Sequence, residues 1–217
     1  MLTRVKICGI TRSEDAALAV DLGAAALGFN FYPRSPRYIT PEAARAIVRG
    51  VPPLVMAVGI FADETSGAAV SNVARAAGVT AIQLHGAGIE NGFDWPLPLI
   101  RAISVDEGFA PERLQGLRAA AVLLDAPHPV LRGGTGRTID WARAREAGRF
   151  ARIILAGGLT PENVGEAIEQ AQPFAVDVAS GVEATPGVKD ASKMRAFFAA
   201  VREADQRLGA EMPAGLR

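Results

Sequence analysis

Apolar, β-rich runs alternate with helix-like stretches from one end of the chain to the other. The strand candidates are RVKIC (4–8), ALGFNF (26–31), LVMAVGIF (54–61), VTAIQL (79–84), PLIRAIS (98–104), AAVLLD (120–125), RIILA (152–156) and FAVDVA (174–179). Helices are expected between them at 12–22, 41–50, 66–77, 111–118, 140–148, 161–171 and 189–207. A poor one falls near 86–94, where GAGIENGFD carries three glycines. Several strand runs are almost continuously apolar, as parallel strands buried on both faces must be. Eight such units in 217 residues fit the lower size range of a single-domain α/β fold, the (β/α)8 or TIM barrel. An open doubly wound sheet would usually show a glycine-rich dinucleotide turn after its first strand, and CGITRSED offers only Gly9. No Pro/Gly/Ser-rich linker divides the chain, so the barrel is expected over 1–207 and a loosely held tail over 208–217.

Three helix starts are legible. TRSE at Thr11–Glu14 has the form of a capping box, while TPEA (40–43) and TPEN (160–163) each place a threonine N-cap before a proline. With 49% hydrophobic and 21% charged residues the chain can bury a substantial core. Its 23 basic residues balance 23 acidic ones with no basic block, which argues against nucleic acid or a membrane surface as partner. A single cysteine, Cys8, excludes an intramolecular disulfide and a cysteine-rich zinc site. The opening MLTRVKICGI lacks an apolar leader core, and no apolar run approaches bilayer-spanning length, so a soluble cytoplasmic protein is expected.

In a barrel of this kind chemistry sits at the C-terminal ends of the strands, and phosphate often binds after the seventh and eighth. AGGLTPEN follows the seventh run: Gly157 and Gly158 permit close backbone approach just before a helix start. ASGVEATPG follows the eighth, where Ser180 and Gly181 add a hydroxyl and another amide. Either loop alone reads as a tight turn; both in the last two units favour phosphate. A third glycine loop, RGGTGRT (132–138) with Gly134 and Gly136, has the composition of a lid over a ligand.

Polar groups at strand ends are the second signal. Asp125 closes an apolar run, where desolvation would raise its pKa and suit it to acid catalysis. Asp177 interrupts the eighth run, and a mid-strand carboxylate needs partners. Gln83 and His85 alternate, so they share one face at the end of the fourth strand; an imidazole there has acid–base capacity, with a shaping or hydrogen-bonding role favoured over it. His128 has no pattern around it and reads as surface. Arg37, in YPRSPRYIT after the second run, has the planar fork that grips a carboxylate. Arg34 nearby is an equal candidate on sequence alone. Free cysteines are usually buried filler, but Cys8 ends the first strand and shares its inward face with Lys6. That ammonium, with the amides of the following helix start, would favour thiolate.

KICGIT, LGFNFYPRSPRYIT, VGIF, IQLHG, LLDA, GGTGRTIDW, LAGGLTPENV and VDVASGVEATPGVKD, in this order from about Val5 to Phe198, resemble the blocks of the phosphoribosylanthranilate isomerase family. The resemblance implies a barrel enzyme of tryptophan biosynthesis that rearranges N-(5-phosphoribosyl)anthranilate without metal or other cofactor, as monomer or homodimer. It implies Cys8 as general base, Asp125 as general acid and Arg37 on the anthranilate carboxylate. Gly157, Gly158, Ser180 and Gly181 would hold the phosphate, with the 133–136 loop beside them. The chain departs from the family at Ala179, often serine, at Ile139, usually phenylalanine, and in the weak helix signals of 86–94. Two rival readings remain. Related sugar-phosphate barrels of histidine synthesis usually carry aspartate where this chain has Cys8, and a binding protein would keep the phosphate nest without the Cys8/Asp125 pair.

Overall fold

In the computed structural model the apolar runs become the staves of a closed barrel. Residues 2–63, 66–86, 93–126 and 139–211 are described. The strands are β1 (Arg4–Ile7), β2 (Ala26–Asn30), β3 (Met56–Ala62), β4 (Ala81–His85), β5 (Leu99–Ser104), β6 (Ala121–Asp125), β7 (Ile153–Leu155) and β8 (Ala175–Val178). Each pairs in parallel with the next, and β8 returns to β1. The (β/α)8 expectation therefore holds, and closure leaves no sheet edge in the barrel.

Strand periodicity divides the core in two. Outward-facing Ile7, Leu27, Phe29, Ile82, Leu124, Leu155 and Val176 pack under the helices. Inward-facing Val58, Ala81, Ile100, Leu123, Ile154 and Ala175 fill the barrel. Each fully buried aliphatic side chain contributes about 1.5–3 kcal/mol. The surrounding helices are α1 (Ser13–Leu22), α2 (Pro41–Val48), α3 (Gly67–Ala77), α4 (Trp141–Ala147), α5 (Val164–Ala171) and α6 (Ala191–Glu211). None of the described helices is long and apolar enough to cross a membrane.

Local chemistry explains where expectation and structure part. Thr40 caps α2 as expected, its side chain accepting from the Ala43 N–H at 3.2 Å with Pro41 next. The box at Thr11–Glu14 does not form: Arg12 occupies the N-cap without a side-chain bond, Glu14 turns to Arg12, and the Thr11 hydroxyl donates to the Gly187 carbonyl. Helix α5 starts at Val164, later than TPEN predicts. Asn163 closes that turn instead, accepting from the Thr160 N–H (2.8 Å) and donating to the Gly158 carbonyl (2.9 Å).

The helix expected at 111–118 shrinks to one 3-10 turn, Pro111–Leu114, and Gly116 follows it at φ +77°. Most of 86–94 lies outside the described residues. At the other end α6 runs to Glu211, so the start of the tail expected from 208 is helical. Three short elements had no counterpart in the sequence reading: a 3-10 turn at Ser180–Val182, and then β9 (Glu183–Thr185) and β10 (Val188–Lys189), which form an antiparallel hairpin. Ile139, where the family usually has phenylalanine, is buried in the core.

Candidate active site

Charge inside the barrel begins with Lys6, which is 2% exposed. An ammonium there needs a counter-ion, and the parallel register of β1 with β8 sets Asp177 directly beside it. Lys6 Nζ lies 2.8 Å from Asp177 Oδ1. Burial pulls the Lys6 pKa down, but Asp177 and Cys8 together outweigh it and the net shift is upward. Room for the ammonium comes from Gly28, where a Cβ would meet Lys6 Nζ at 3.2 Å and Ile60 Cδ1 at 2.9 Å. The partner that a mid-strand carboxylate requires is thus a lysine from the neighbouring stave.

One step toward the C-terminal mouth, Cys8, Asp125, Gln83 and His85 line a single cavity with Asp177, Arg37 and the loops after β7 and β8. Desolvation, then the Asp177 charge, push the Asp125 carboxyl up to about 6, against the lowering effects of the Ala126 N–H and Lys6. The sequence expectation of a raised acid holds. For Cys8 the direction is reversed. Loss of water at the barrel mouth, together with the Asp177 charge, raises the thiol pKa and outweighs Lys6, Lys189 and Arg37, which all favour thiolate. The lone cysteine is partly exposed, so it is accessible without being acidic. Gln83 and His85 share the inward face as expected, joined by a 2.8 Å Nε2–Nε2 contact. Gln83 Oε1 is buried without a partner among the described residues.

The two arginines that sequence could not separate occupy different places. Arg34 is exposed, over the Tyr32 ring and 3.7 Å from Asp63. Arg37 lines the cavity. Its stem crosses Gly9, where a Cβ would sit 2.5 Å from Arg37 Cδ. Its fork meets Glu183 through Nε (2.9 Å to Oε1) and Nη2 (2.7 Å to Oε2). Glu183 in turn accepts from Lys189 Nζ at 2.8 Å, and that ammonium also donates to the Cys8 carbonyl at 2.6 Å. Burial pushes the Glu183 carboxyl up, but the Arg37 and Lys189 contacts prevail and hold it below the usual range.

Sequence reasoning missed both Glu183 and Lys189. Their signal was VEATPGVK, two polar residues flanking a Pro-Gly turn, which is the pattern of a short hairpin.

The glycines after β7 are conformationally required. Gly157 and Gly158 have φ of +81° and +68°, a region costly to other L-residues. A Cβ at Gly157 would also lie 2.6 Å from the Ala126 nitrogen. Ser180 lines the cavity, whereas Gly181 stands behind it: a Cβ there would meet the Leu159 carbonyl oxygen at 2.0 Å. That close approach joins the two loops. At Ala179, where the family often has serine, the backbone carbonyl accepts from Lys189 Nζ at 3.3 Å. Gly134, Gly136 and His128 lie outside the described residues.

The cavity therefore combines a raised carboxylic acid, an accessible thiol, a fixed guanidinium and backbone turned toward the space after β7. That set can move protons and hold anions. Comparison with known proteins gives a family for it. The model of the N-(5'-phosphoribosyl)anthranilate isomerase family matches residues 5–200. An N-(5'-phosphoribosyl)anthranilate isomerase from Pelobacter propionicus is 45% identical, over 93% of this chain and 97% of its own. Phosphoribosyl anthranilate isomerase from Thermus thermophilus superposes with a TM-score of 0.83 at 43% identity, covering 93% of this chain and 99% of that one. Another solved isomerase, with a TM-score of 0.77 at 39% identity and covering 93% of this chain and all of its own, holds reduced 1-(o-carboxyphenylamino)-1-deoxyribulose 5-phosphate. With both the family model and these relatives matching nearly end to end, the chain belongs to the N-(5'-phosphoribosyl)anthranilate isomerase family.

Proposed function

We propose that this chain converts N-(5'-phosphoribosyl)anthranilate to 1-(2-carboxyphenylamino)-1-deoxyribulose 5-phosphate, an Amadori rearrangement in tryptophan biosynthesis. The observation that carries the reading is one cavity lined by Cys8, Asp125, Arg37 and the β7 glycines. Asp125 gives its proton to the ribose ring oxygen as the bond from that oxygen to the anomeric carbon breaks. The anilino nitrogen supplies the electron pair, leaving an open-chain Schiff base. Cys8 thiolate then takes the proton from the adjacent sugar carbon. Those electrons flow to the nitrogen and form an enolamine, which becomes the ketone. No electrons enter or leave the substrate, so the chemistry calls for no redox group.

Proton placement is the demanding part. The resting site at neutral pH holds Asp125 mostly ionised and Cys8 as thiol, given one raised to about 6 and the other raised by burial. The reactive form carries the same number of protons, with one moved from sulfur to the carboxylate, so only a minor fraction is poised for reaction. Both groups face the same desolvated space, which suits them to a reaction that consumes and restores a proton. Arg37 receives the anthranilate carboxylate, and the amides around Gly157, Gly158 and Ser180 receive the phosphate, with Gly181 keeping the two loops in contact. Adding purified protein to phosphoribosylanthranilate should extinguish the substrate's fluorescence with formation of the ketose product. Persistent fluorescence under conditions where the protein is folded would reject the reading.

A further inference from the structure

Building on that reading of Arg37 and Cys8, we infer that Glu183 and Lys189 are positioning residues: Glu183 fixes the Arg37 fork for the substrate carboxylate, and Lys189 ties this mount to the backbone of Cys8. The hairpin β9–β10 has no part in closing the barrel, yet it carries two ionic side chains that are only 6% and 5% exposed. Replacing buried ion pairs by apolar residues is often neutral or stabilising. A hairpin serving packing alone would therefore gain nothing from them.

The contacts explain what they do gain. Glu183 spans Arg37 Nε and Nη2 with three contacts between 2.7 and 3.2 Å, which locks the guanidinium plane and leaves Nη1 outside the pairing. A rigid fork loses less entropy when a ligand carboxylate arrives. Lys189 Nζ bridges Glu183 Oε1, the Cys8 carbonyl and the Ala179 carbonyl. One ammonium thus registers the carboxylate clamp against the proposed base and the start of the loop after β8. The position of Lys189 is set from the opposite side by buried Asp15, which accepts its backbone N–H at 3.0 Å. Glu183 is held likewise through its carbonyl, which accepts from Lys193 Nζ at 2.8 Å. With Arg37 and Lys189 charged and Glu183 ionised, the cluster carries a net single positive charge, matched to one carboxylate.

The test uses two ligands: the reduced ketose phosphate analogue, and its counterpart with aniline in place of anthranilate, which lacks the ring carboxylate. Glu183→Gln should weaken the carboxylate-bearing analogue by about tenfold or more, the scale of one charge-assisted hydrogen bond. The aniline counterpart should bind within about twofold of wild type, since it never used the fork. Glu183→Asp, which keeps the charge, should recover part of the loss.

Lys189→Met should lower kcat and move the pH dependence of Cys8 alkylation upward, because the ammonium offsets part of the thiol's burial. A residue that merely holds the fold would not move that profile. If Glu183→Gln does not fold, the balanced variant Glu183→Gln/Lys189→Met removes the stranded ammonium and must show the same loss of discrimination. Equal weakening of both ligands, or of neither, overturns the inference. The control is Arg37→Lys: if it too weakens both ligands equally, or neither, the fault lies with the carboxylate role of Arg37 itself.

Discussion

Asp125→Asn should abolish turnover and stabilise the fold in the same stroke. Burial and Asp177 hold the Asp125 carboxyl at about 6, against an ordinary value of 3.8. The gap of 2.2 pH units (6 − 3.8) corresponds, at about 1.36 kcal/mol per unit, to a cost of up to about 3 kcal/mol for keeping the native carboxylate ionised. The sign follows from linkage. Because the native pKa is raised, the native state binds this proton more tightly than the unfolded chain, so the stabilising contribution is complete at low pH. It is lost progressively as pH rises from about 4 to about 6, and no further above that. Asparagine never ionises, and its amide oxygen can still accept the Ala126 N–H bond that Asp125 takes at 2.9 Å. The variant's advantage should therefore be near zero at about pH 4 and reach its full value above about pH 6. Urea melts across that range, with turnover measured alongside, provide the assay. A variant less stable than wild type at about pH 8, or a gain equal at both ends of the range, would refute the placement of Asp125 in a desolvated site.

Arg37→Lys should lose much of kcat/KM because an ammonium cannot reproduce the planar fork, while Arg34→Lys should change little; the reverse ranking would mean the wrong arginine was assigned. Iodoacetamide should modify Cys8 slowly at neutral pH and faster only as pH climbs past the ordinary thiol value, with bound product analogue protecting it; a rate already at its plateau near neutrality would contradict a thiol raised by burial. At Gly158, where φ is +68°, alanine is the usable probe, since a bulkier branched side chain adds steric strain to a conformation that already costs about 1–2 kcal/mol. Gly158→Ala should raise KM more than it lowers kcat, and an unchanged KM in the folded variant would move the phosphate elsewhere.

The barrel was legible because its strands must be apolar on both faces, and β-rich runs such as AAVLLD and RIILA announce that directly. The strand-end positions of Cys8, Asp125, Gln83 and His85 follow from the same runs by alternation alone. Helix starts were read less well. Whether Thr11 caps its own helix depends on Gly187, far away in sequence, whose carbonyl takes the hydroxyl. The acidity of Cys8 failed for a related reason: its cationic neighbours are real, but the desolvation and the Asp177 charge that together outweigh them belong to the closed barrel, which no local spacing encodes. Arg37 and Arg34 could not be told apart until Glu183 appeared beside one of them. Glu183 and Lys189 were passed over because a short hairpin after the last strand has no place in the repeating pattern that made the remainder readable.

Turnover of phosphoribosylanthranilate by wild type and Cys8→Ser, followed by fluorescence decay, tests the acid–base assignment most directly. Serine preserves size but is a far weaker base near neutral pH. The variant should therefore keep its fold and its affinity for the reduced product analogue while kcat drops by roughly 10²-fold or more, the usual scale for a positioned acid–base group. A folded Cys8→Ser protein with near-wild-type kcat would contradict the role given to Cys8.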